Sequence, residues 1–338
     1  MGAPDDPEHV SVPDLTPSGS SPRGDSSYNP ADSPRFQPYD ETLRERLQLL
    51  SLAFYGCHGA LTASIDAAEA EGGRVEGSPS ELDRQHLERL DPPYPPTVHG
   101  LIDFHSYFYM SAAGEHMRGL GALYARQEVL ISPPVLIRCV LEHSARVVWL
   151  LADDQQPEDR AARMYLDLLM GTVERKKTSG RFFGKDSQQH RGNTQMLAHL
   201  RNEAATISGE PVVDDQGEHR IRGQRMPRLE DCVAALLARL APDASTRDHR
   251  AVYDRMSNLT HPMVWPHAEM WKPEIEDGKT NYVSAVRPED HQQHASLAVV
   301  AFNEALNHVV SYHGWNRAPF EQWRATVEQL LWARRAGS

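Results

Sequence analysis

Apolar residues recur at helical spacing over most of this chain, and the clearest run lies between residues 39 and 70. The apolar positions of that run fall on one face of an α-helix: Leu43, Leu47, Leu50, Phe54 and Leu61. Two glycine-containing clusters, Gly72-Gly73 and Gly77-Ser78-Pro79, follow the run, and such clusters end helices. The pattern therefore predicts a long amphipathic helix over about residues 39–70.

Similar runs, each bounded by capping or turn residues, predict eight further helices. Their approximate ranges are 97–127, 132–153, 157–177, 187–207, 228–240, 246–260, 289–312 and 319–335. Two stretches lack the helical pattern, residues 211–225 with a turn at 214–217 and residues 262–287 with a turn at Gly278. We therefore predict an all-α fold, with one domain of about nine helices over residues 39–338 and one or two minor β-hairpins.

The first 38 residues have a different composition. They contain eight prolines, seven serines and three glycines, with six acidic and two basic side chains. Such a segment buries too little apolar surface to offset the entropy lost on ordering. We therefore predict a disordered N-terminal tail over residues 1–38, either an inert extension or a docking segment.

Charge and composition exclude several classes of protein. The 47 acidic and 35 basic residues give a net charge of −12, the wrong sign for a general nucleic-acid coat, so no DNA binding is expected and RNA binding would need a local basic patch. The three cysteines are too few and too far apart for a disulfide scaffold. Since the sequence shows neither a membrane span nor a signal peptide, we expect a cytoplasmic protein without membrane contacts.

The predicted helix at 132–153 carries charge where none is expected. Its apolar residues point in nearly every direction, which is typical of a helix at the centre of a domain. Arg138, Glu142 and Arg146 nevertheless lie four residues apart, as a polar stripe along that helix. Buried charges must pair with one another or face a polar cavity. The stripe is thus either a structural Arg–Glu–Arg network or, at Arg138 and Glu142, the wall of a ligand or catalytic pocket.

A second polar stripe lies on the predicted helix at 246–260. Tyr253, Ser257 and His261 are four residues apart, and Pro262 ends the helix directly after the histidine. This face is the best supply of polar partners for Arg138 and Glu142 elsewhere in the chain. We therefore predict that the two stripes meet around one partly buried polar pocket.

Arg255 and His261 add a candidate for chemistry. An imidazole that moves a proton, beside a guanidinium that holds a phosphate, can cleave RNA without a metal. An all-helical domain with Arg-x4-6-His resembles the HEPN superfamily, many of whose members are dimeric, metal-independent endoribonucleases of toxin–antitoxin and phage-defence systems. The resemblance implies that Arg255 and His261 are catalytic, that RNA is the substrate and that the protein forms a homodimer.

The match to that superfamily has two departures. Family ribonucleases usually place a polar residue after the arginine, where this chain has Met256, and a six-residue separation puts the two side chains about 120° apart on an ideal helix. Residues 100–312 also resemble a looser group of uncharacterised bacterial helical proteins, through Arg138-x-x-x-Glu142 and the later Tyr–Ser–His stripe. A non-catalytic helical binding or regulatory module therefore remains the alternative.

One segment combines basic and aromatic residues. Phe182 and Phe183 follow the basic side chains that we take as candidate RNA contacts: Arg175, Lys176, Lys177 and Arg181. Such a segment can hold an RNA backbone while a phenylalanine stacks on a base. The alternative is a solvated helix end with an apolar anchor.

Metal and cofactor motifs are missing from the sequence. It contains no Glu-x-x-His, no His-Glu-x-x-His and no glycine-rich phosphate loop, so we predict neither a metal nor another cofactor. His291 and His294 beside Asp290 fit a solvated helix start better than a metal site. A remote alternative is a magnesium-dependent enzyme resembling class I terpene synthases, with two candidate metal-binding sets: Asp153, Asp154 and Glu158, and Asn202, Thr206 and Glu210.

Overall fold

Helices dominate the chain wherever the structure describes it. The computed structural model describes residues 41–73, 75–90, 93–127, 129, 132–209, 212–213, 218–260, 271–276, 279–284 and 288–332. The tail predicted at residues 1–38 lies outside these ranges, and so do His261 and Pro262. Over the described residues the fold is all-α, as the periodicity predicts.

Ten helices are described. They are α1 (Glu41–Ala70), α2 (Pro79–Arg89), α3 (Pro96–Arg126), α4 (Ser132–Leu150), α5 (Pro157–Phe183), α6 (Gln188–Ser208), α7 (Leu229–Leu240), α8 (Thr246–Thr260), α9 (Pro288–His313) and α10 (Ala318–Trp332). The apolar stripe that predicts α1 is buried at all five positions. None of the described helices is both long enough and apolar enough to cross a membrane.

Helix α2 accounts for the difference between nine predicted and ten observed helices. Ser78, which the sequence pattern treats only as a helix stop, is the N-cap of α2, and its hydroxyl accepts a hydrogen bond from the Glu81 backbone N–H at 3.2 Å. Pro79 occupies the first helical turn, where its missing N–H costs nothing. Ser-x-x-Glu is a helix-start signature, so the local sequence does specify this helix.

Two small antiparallel hairpins interrupt the helices. Strands β1 (Arg220–Ile221) and β2 (Gln224–Arg225) are joined at Arg222-Gly223, where both residues have positive φ angles. The sequence places that turn earlier, at 214–217, which lies outside the described residues between the bridged pair Val213 and His219. Strands β3 (Trp271–Glu276) and β4 (Lys279–Ser284) pair over their full lengths, in the region predicted for the second hairpin.

Helix α4 lies at the centre of the packed helices, as its all-round apolar surface predicts. It packs against α3, α5, α7, α8 and α9. Its buried side chains include Ile137, Val140, Leu141 and Val147. Helix α1 packs against α3, α9 and α10 on the other side of the core. The polar residues of α4 therefore face neighbouring helices rather than bulk water.

A buried ion pair ties three helices together. Arg160 on α5 donates two hydrogen bonds to the Asp83 carboxylate on α2, from Nε at 2.6 Å and from Nη2 at 2.8 Å. The Tyr312 hydroxyl on α9 donates to the same carboxylate at 3.0 Å. The pair fixes α5 against the body of the protein at the N-terminal end of that helix.

Helices α5 and α6 form a helical hairpin, and contacts between the end of α5 and the start of α6 stabilise its turn. Gly184, at a φ of +84°, ends α5, and Ser187 caps α6 by accepting a hydrogen bond from the His190 backbone N–H at 3.2 Å. The two helices approach closely at Gly180, where an added Cβ would lie 2.9 Å from the His190 ring. The Asn193 side chain on α6 donates to the Ser179 hydroxyl on α5 at 3.1 Å.

Candidate functional site

The polar stripes of α4 and α8 meet at a cluster of three side chains. Arg138 Nε donates to Glu142 Oε1 at 2.7 Å, and the Tyr253 hydroxyl donates to the same oxygen at 2.9 Å. Arg138 Nη2 lies 3.3 Å from the Tyr253 hydroxyl, and its guanidinium carbon lies 5.4 Å from the centroid of that ring. The structure thus brings together Arg138, Glu142 and Tyr253, three of the predicted pocket residues.

Thr260 is a fourth member of the cluster that the sequence analysis missed. Arg138 Nη1 donates to Thr260 Oγ1 at 2.7 Å, and that hydroxyl donates to the backbone oxygen of Ser257 at 2.7 Å. Thr260 follows Tyr253 by seven residues and so lies on the same helical face, a spacing that could have identified it. Of the other two predicted members, Ser257 contributes this backbone oxygen, and His261 lies outside the described residues.

The contacts of this cluster run mainly between its own members. The side chains of Arg138 and Glu142 are 23% and 18% exposed, and Tyr253 is buried. Burial, together with the hydrogen bond to Glu142, raises the pKa of Tyr253, so the phenol stays protonated and donates at neutral pH. Because the Arg138 guanidinium is satisfied within the cluster, this geometry suits fixing α8 against α4 better than it suits binding an anion.

Arg146 does not extend the cluster. Its guanidinium lies 3.4 Å from Met226 Sδ and 3.5 Å from Cys232 Sγ, and it stacks over the Trp149 ring at 5.5 Å. The predicted Arg–Glu–Arg network is therefore wrong for Arg146, whereas Arg138 and Glu142 do pair. Spacing alone places Arg146 on the same face as Glu142, but its guanidinium contacts Met226 and, on helix α7, Cys232.

Arg255 projects from α8 toward α9. Its side chain is 61% exposed, and Nη2 lies 3.9 Å from the Asp290 carboxylate. The distance between Arg255 and His261, on which the ribonuclease hypothesis depends, falls outside the described residues. Arg255 is therefore an accessible cation, loosely held by one acidic partner.

His291 contradicts the prediction that the start of α9 is solvated. It is 3% exposed, and its Nδ1 lies 3.3 Å from the Tyr124 hydroxyl on α3. Burial, and next the neighbouring His294, lower the pKa of His291 to about 4. The imidazole is consequently neutral at physiological pH and forms part of the core.

The acidic residues of the terpene-synthase hypothesis have protein partners. Asp153 lies 3.4 Å from Arg239 and Glu158 lies 3.1 Å from His86. Glu210 lies outside the described residues, and the Thr206 hydroxyl donates to the backbone oxygen of Asn202. These contacts favour the interpretation of Asp153 and Glu158 as charges at helix ends.

A basic groove lies between α5 and α6. It has a volume of about 470 Å³. Its walls are formed by Val173, Lys176, Lys177, Gly180, Arg181, Lys185, His190, Leu197 and Arg201. Val173, Gly180 and Leu197 make one part of this lining apolar, while five cationic side chains surround it. We refer to this feature as the α5–α6 groove.

The groove concentrates positive charge in an acidic protein. Residues 174–201 contain seven basic and two acidic side chains, whereas the whole chain carries −12. Three of the four predicted RNA contacts line the groove, namely Lys176, Lys177 and Arg181, whereas Arg175 is exposed outside it. Lys185 ends the same basic–aromatic segment of the sequence, and Arg201, on α6, was not predicted.

Comparison with known proteins adds no assignment to these sites. No model of a known protein family matches the chain, and no curated protein or solved structure is significantly similar to it. The HEPN resemblance therefore stays a prediction, and the function has to be argued from geometry and charge.

Proposed function

We propose that this protein binds RNA through the α5–α6 groove. The observation that carries the proposal is the ring of five cationic side chains around a partly apolar concavity, in a chain whose net charge is −12. Lysine and arginine side chains neutralise phosphates and release condensed counterions, which is the main source of affinity for a nucleic-acid backbone.

The shape of the groove favours a single strand over a duplex. Its volume of about 470 Å³ is in the range of small-ligand sites and can hold only a few nucleotides at once. Two of its cations, Lys176 and Arg201, are half-buried. A strand can place phosphates on the rim and base edges against Val173 and Leu197, whereas the acidic remainder of the surface repels nucleic acid and confines binding to this face.

The test is a binding measurement on the full chain. We expect the triple variant Lys176→Ala, Lys177→Ala and Arg181→Ala to lose at least about tenfold in affinity for a fluorescent 20-nucleotide RNA at moderate salt. The slope of log K against log salt should fall by about 2, because each lost phosphate contact contributes about 0.7 for a single strand. Fluorescence anisotropy at four salt concentrations measures both quantities.

A matched control removes the same charge elsewhere. Arg118, Arg225 and Arg324 have side chains more than half exposed and lie outside the groove. Their triple alanine variant should bind RNA as tightly as the natural chain. If it loses as much affinity as the groove variant, or if the natural chain binds no RNA at low salt, the proposal is wrong.

Metal-independent RNA cleavage, with a toxin or defence role, is the second candidate function. The observation that favours it is the exposed guanidinium of Arg255 in the C-terminal half of α8, the helix that the Arg138 cluster anchors to the core. The HEPN resemblance supplies His261 as the partner that moves the proton.

Cleavage is tested with the same labelled RNA in excess EDTA. We expect shortened products with the natural chain, and none with Arg255→Ala or His261→Ala, while RNA binding is unchanged. Arg250→Ala is the matched control, because Arg250 is an exposed arginine on the same helix that pairs with Asp231 at 3.0 Å. Intact RNA after prolonged incubation with a binding-competent protein excludes the ribonuclease and leaves the binding proposal standing.

A further inference from the structure

Two adjacent phenylalanines lie exposed at the end of α5. Phe182 is 79% exposed and Phe183 is 63% exposed. Leaving a phenylalanine in water forgoes the favourable burial of a large apolar surface. Two such residues in succession form a candidate interaction surface.

The two phenylalanine rings do not shield one another from solvent. Their centroids are 6.3 Å apart and their planes are inclined by 47°, so neither ring covers the face of the other. Successive residues on a helix point about 100° apart, so the two rings are aimed in different directions. Each ring therefore keeps much of its π face open to solvent.

The phenylalanines are flanked in the chain by residues that line the α5–α6 groove, although neither ring is part of its wall. Arg181 directly precedes Phe182, and Lys185 follows Phe183 by two residues, and both cations line the groove. Gly184, at a φ of +84°, turns the chain between Phe183 and Lys185. A strand whose phosphates contact Arg181 and Lys185 therefore spans the segment of the chain that carries both phenylalanines.

We propose that Phe182 and Phe183 stack on unpaired bases, so that the ligand of the groove is single-stranded RNA. This inference rests on the proposed function and names its substrate class. Every base has a π face, and stacking on an aromatic side chain tolerates any sequence. A duplex keeps its bases stacked and paired within the helix, where the two rings have no access to them.

Charge and shape together favour a strand over a lipid surface. Exposed phenylalanines beside lysines and arginines also suit an anionic membrane. A bilayer surface would reach the protruding side chains but not the half-buried Lys176 and Arg201 within the groove. A flexible strand reaches both sets of cations at once.

The experiment compares one RNA in two states. A 20-nucleotide RNA without internal pairing is used alone and annealed to its complement, with the full chain and with the double variant Phe182→Ala, Phe183→Ala. We expect the natural chain to prefer the single strand by at least about tenfold, and the double variant to lose that preference while its affinity for the duplex is unchanged. Circular dichroism verifies that the variant keeps its helices.

A second double variant, Phe182→Leu and Phe183→Leu, separates stacking from apolar contact. Leucine keeps the apolar character and loses the π face, so its affinity for the single strand should match that of the alanine variant. A fully retained affinity in the leucine variant would overturn stacking. Phe182→Trp with Phe183→Trp should restore or exceed the natural preference.

The failures of the two proposals are distinguishable. If the natural chain binds neither form of RNA, the proposed function fails and this inference fails with it. If it binds RNA through Lys176, Lys177 and Arg181 but the phenylalanine variants behave as the natural chain does, only the inference is overturned. Binding to phosphatidylserine vesicles that depends on the phenylalanines, with RNA affinity unaffected, would assign the rings to a membrane and also overturn it.

Discussion

Replacing Arg160 with alanine is expected to lower the free energy of unfolding by about 3–5 kcal/mol, because the change leaves a buried carboxylate without its counter-charge. The side chains of Arg160 and Asp83 are only 8% and 5% exposed, and they are joined by two hydrogen bonds of 2.6 and 2.8 Å. Arg160 also donates to the backbone oxygen of Gln155 at 2.8 Å. After the change, Asp83 keeps the Tyr312 hydroxyl but no cation, and the Gln155 oxygen loses this donor.

The measurement is urea unfolding followed by circular dichroism, with Arg118→Ala as the control. Arg118 pairs with Glu115 one helical turn away, and both side chains are more than half exposed, so its loss should change stability little. The double variant Asp83→Leu, Arg160→Met should recover much of the loss, because it removes both charges. An Arg160→Ala effect no larger than that of Arg118→Ala would show that the buried pair is not a stabilising link.

The sequence shows the three residues of this network, but it does not show that they contact one another. Asp83, Arg160 and Tyr312 lie on three different helices, with 77 and 229 residues separating Asp83 from the other two. Apolar periodicity predicts which residues of a helix face inward, but not which helix lies opposite. In addition, α2, the helix that carries Asp83, was not predicted, because the pattern treats Gly77, Ser78 and Pro79 only as the end of the preceding helix, although Ser78 and Glu81 also form a helix-start signature.

For the central helix α4, the sequence predicts which way a side chain points better than it predicts which residue that side chain contacts. The apolar surface of α4 places it in the core, and the spacing of Arg138 and Glu142 aims both at a polar neighbour, which the structure identifies as Tyr253 on α8. The same spacing fails for Arg146. One turn further along α4, the neighbouring element is α7, and the guanidinium meets Cys232 there.

For the basic groove, too, the sequence predicts the residues that are close together in the chain but not those that folding brings to them. Lys176, Lys177 and Arg181 are consecutive or one turn apart on α5, so their cluster can be found in the sequence. Arg201 lies 20 residues beyond Arg181 and joins the groove because α6 folds back along α5. The close approach that permits this is made at Gly180, which leaves room for the His190 ring.

Acid should destabilise this protein through His291. The pKa of a histidine is about 6.5 in an unfolded chain, whereas burial lowers that of His291 to about 4 in the folded protein. Between these values the unfolded chain binds a proton that the native state does not bind, so falling pH favours unfolding. The difference of about 2.5 corresponds to about 3 kcal/mol lost between pH 7 and pH 4, and the full stability contribution is present only above about pH 6.5.

His291→Leu isolates this effect, since leucine fills the site without titrating. The variant loses the contact with the Tyr124 hydroxyl, so it should be less stable than the natural chain at pH 7. From pH 7 to pH 4, however, the natural chain should lose about 3 kcal/mol more than the variant. Carboxylates with lowered pKa values, such as Glu304, also lose stability in acid, but they are present in both proteins and cancel in the difference. His199→Leu replaces a ring that is 69% exposed and serves as the surface control for the substitution itself. Parallel stability curves for the natural chain and His291→Leu would show that folding does not lower the pKa of His291.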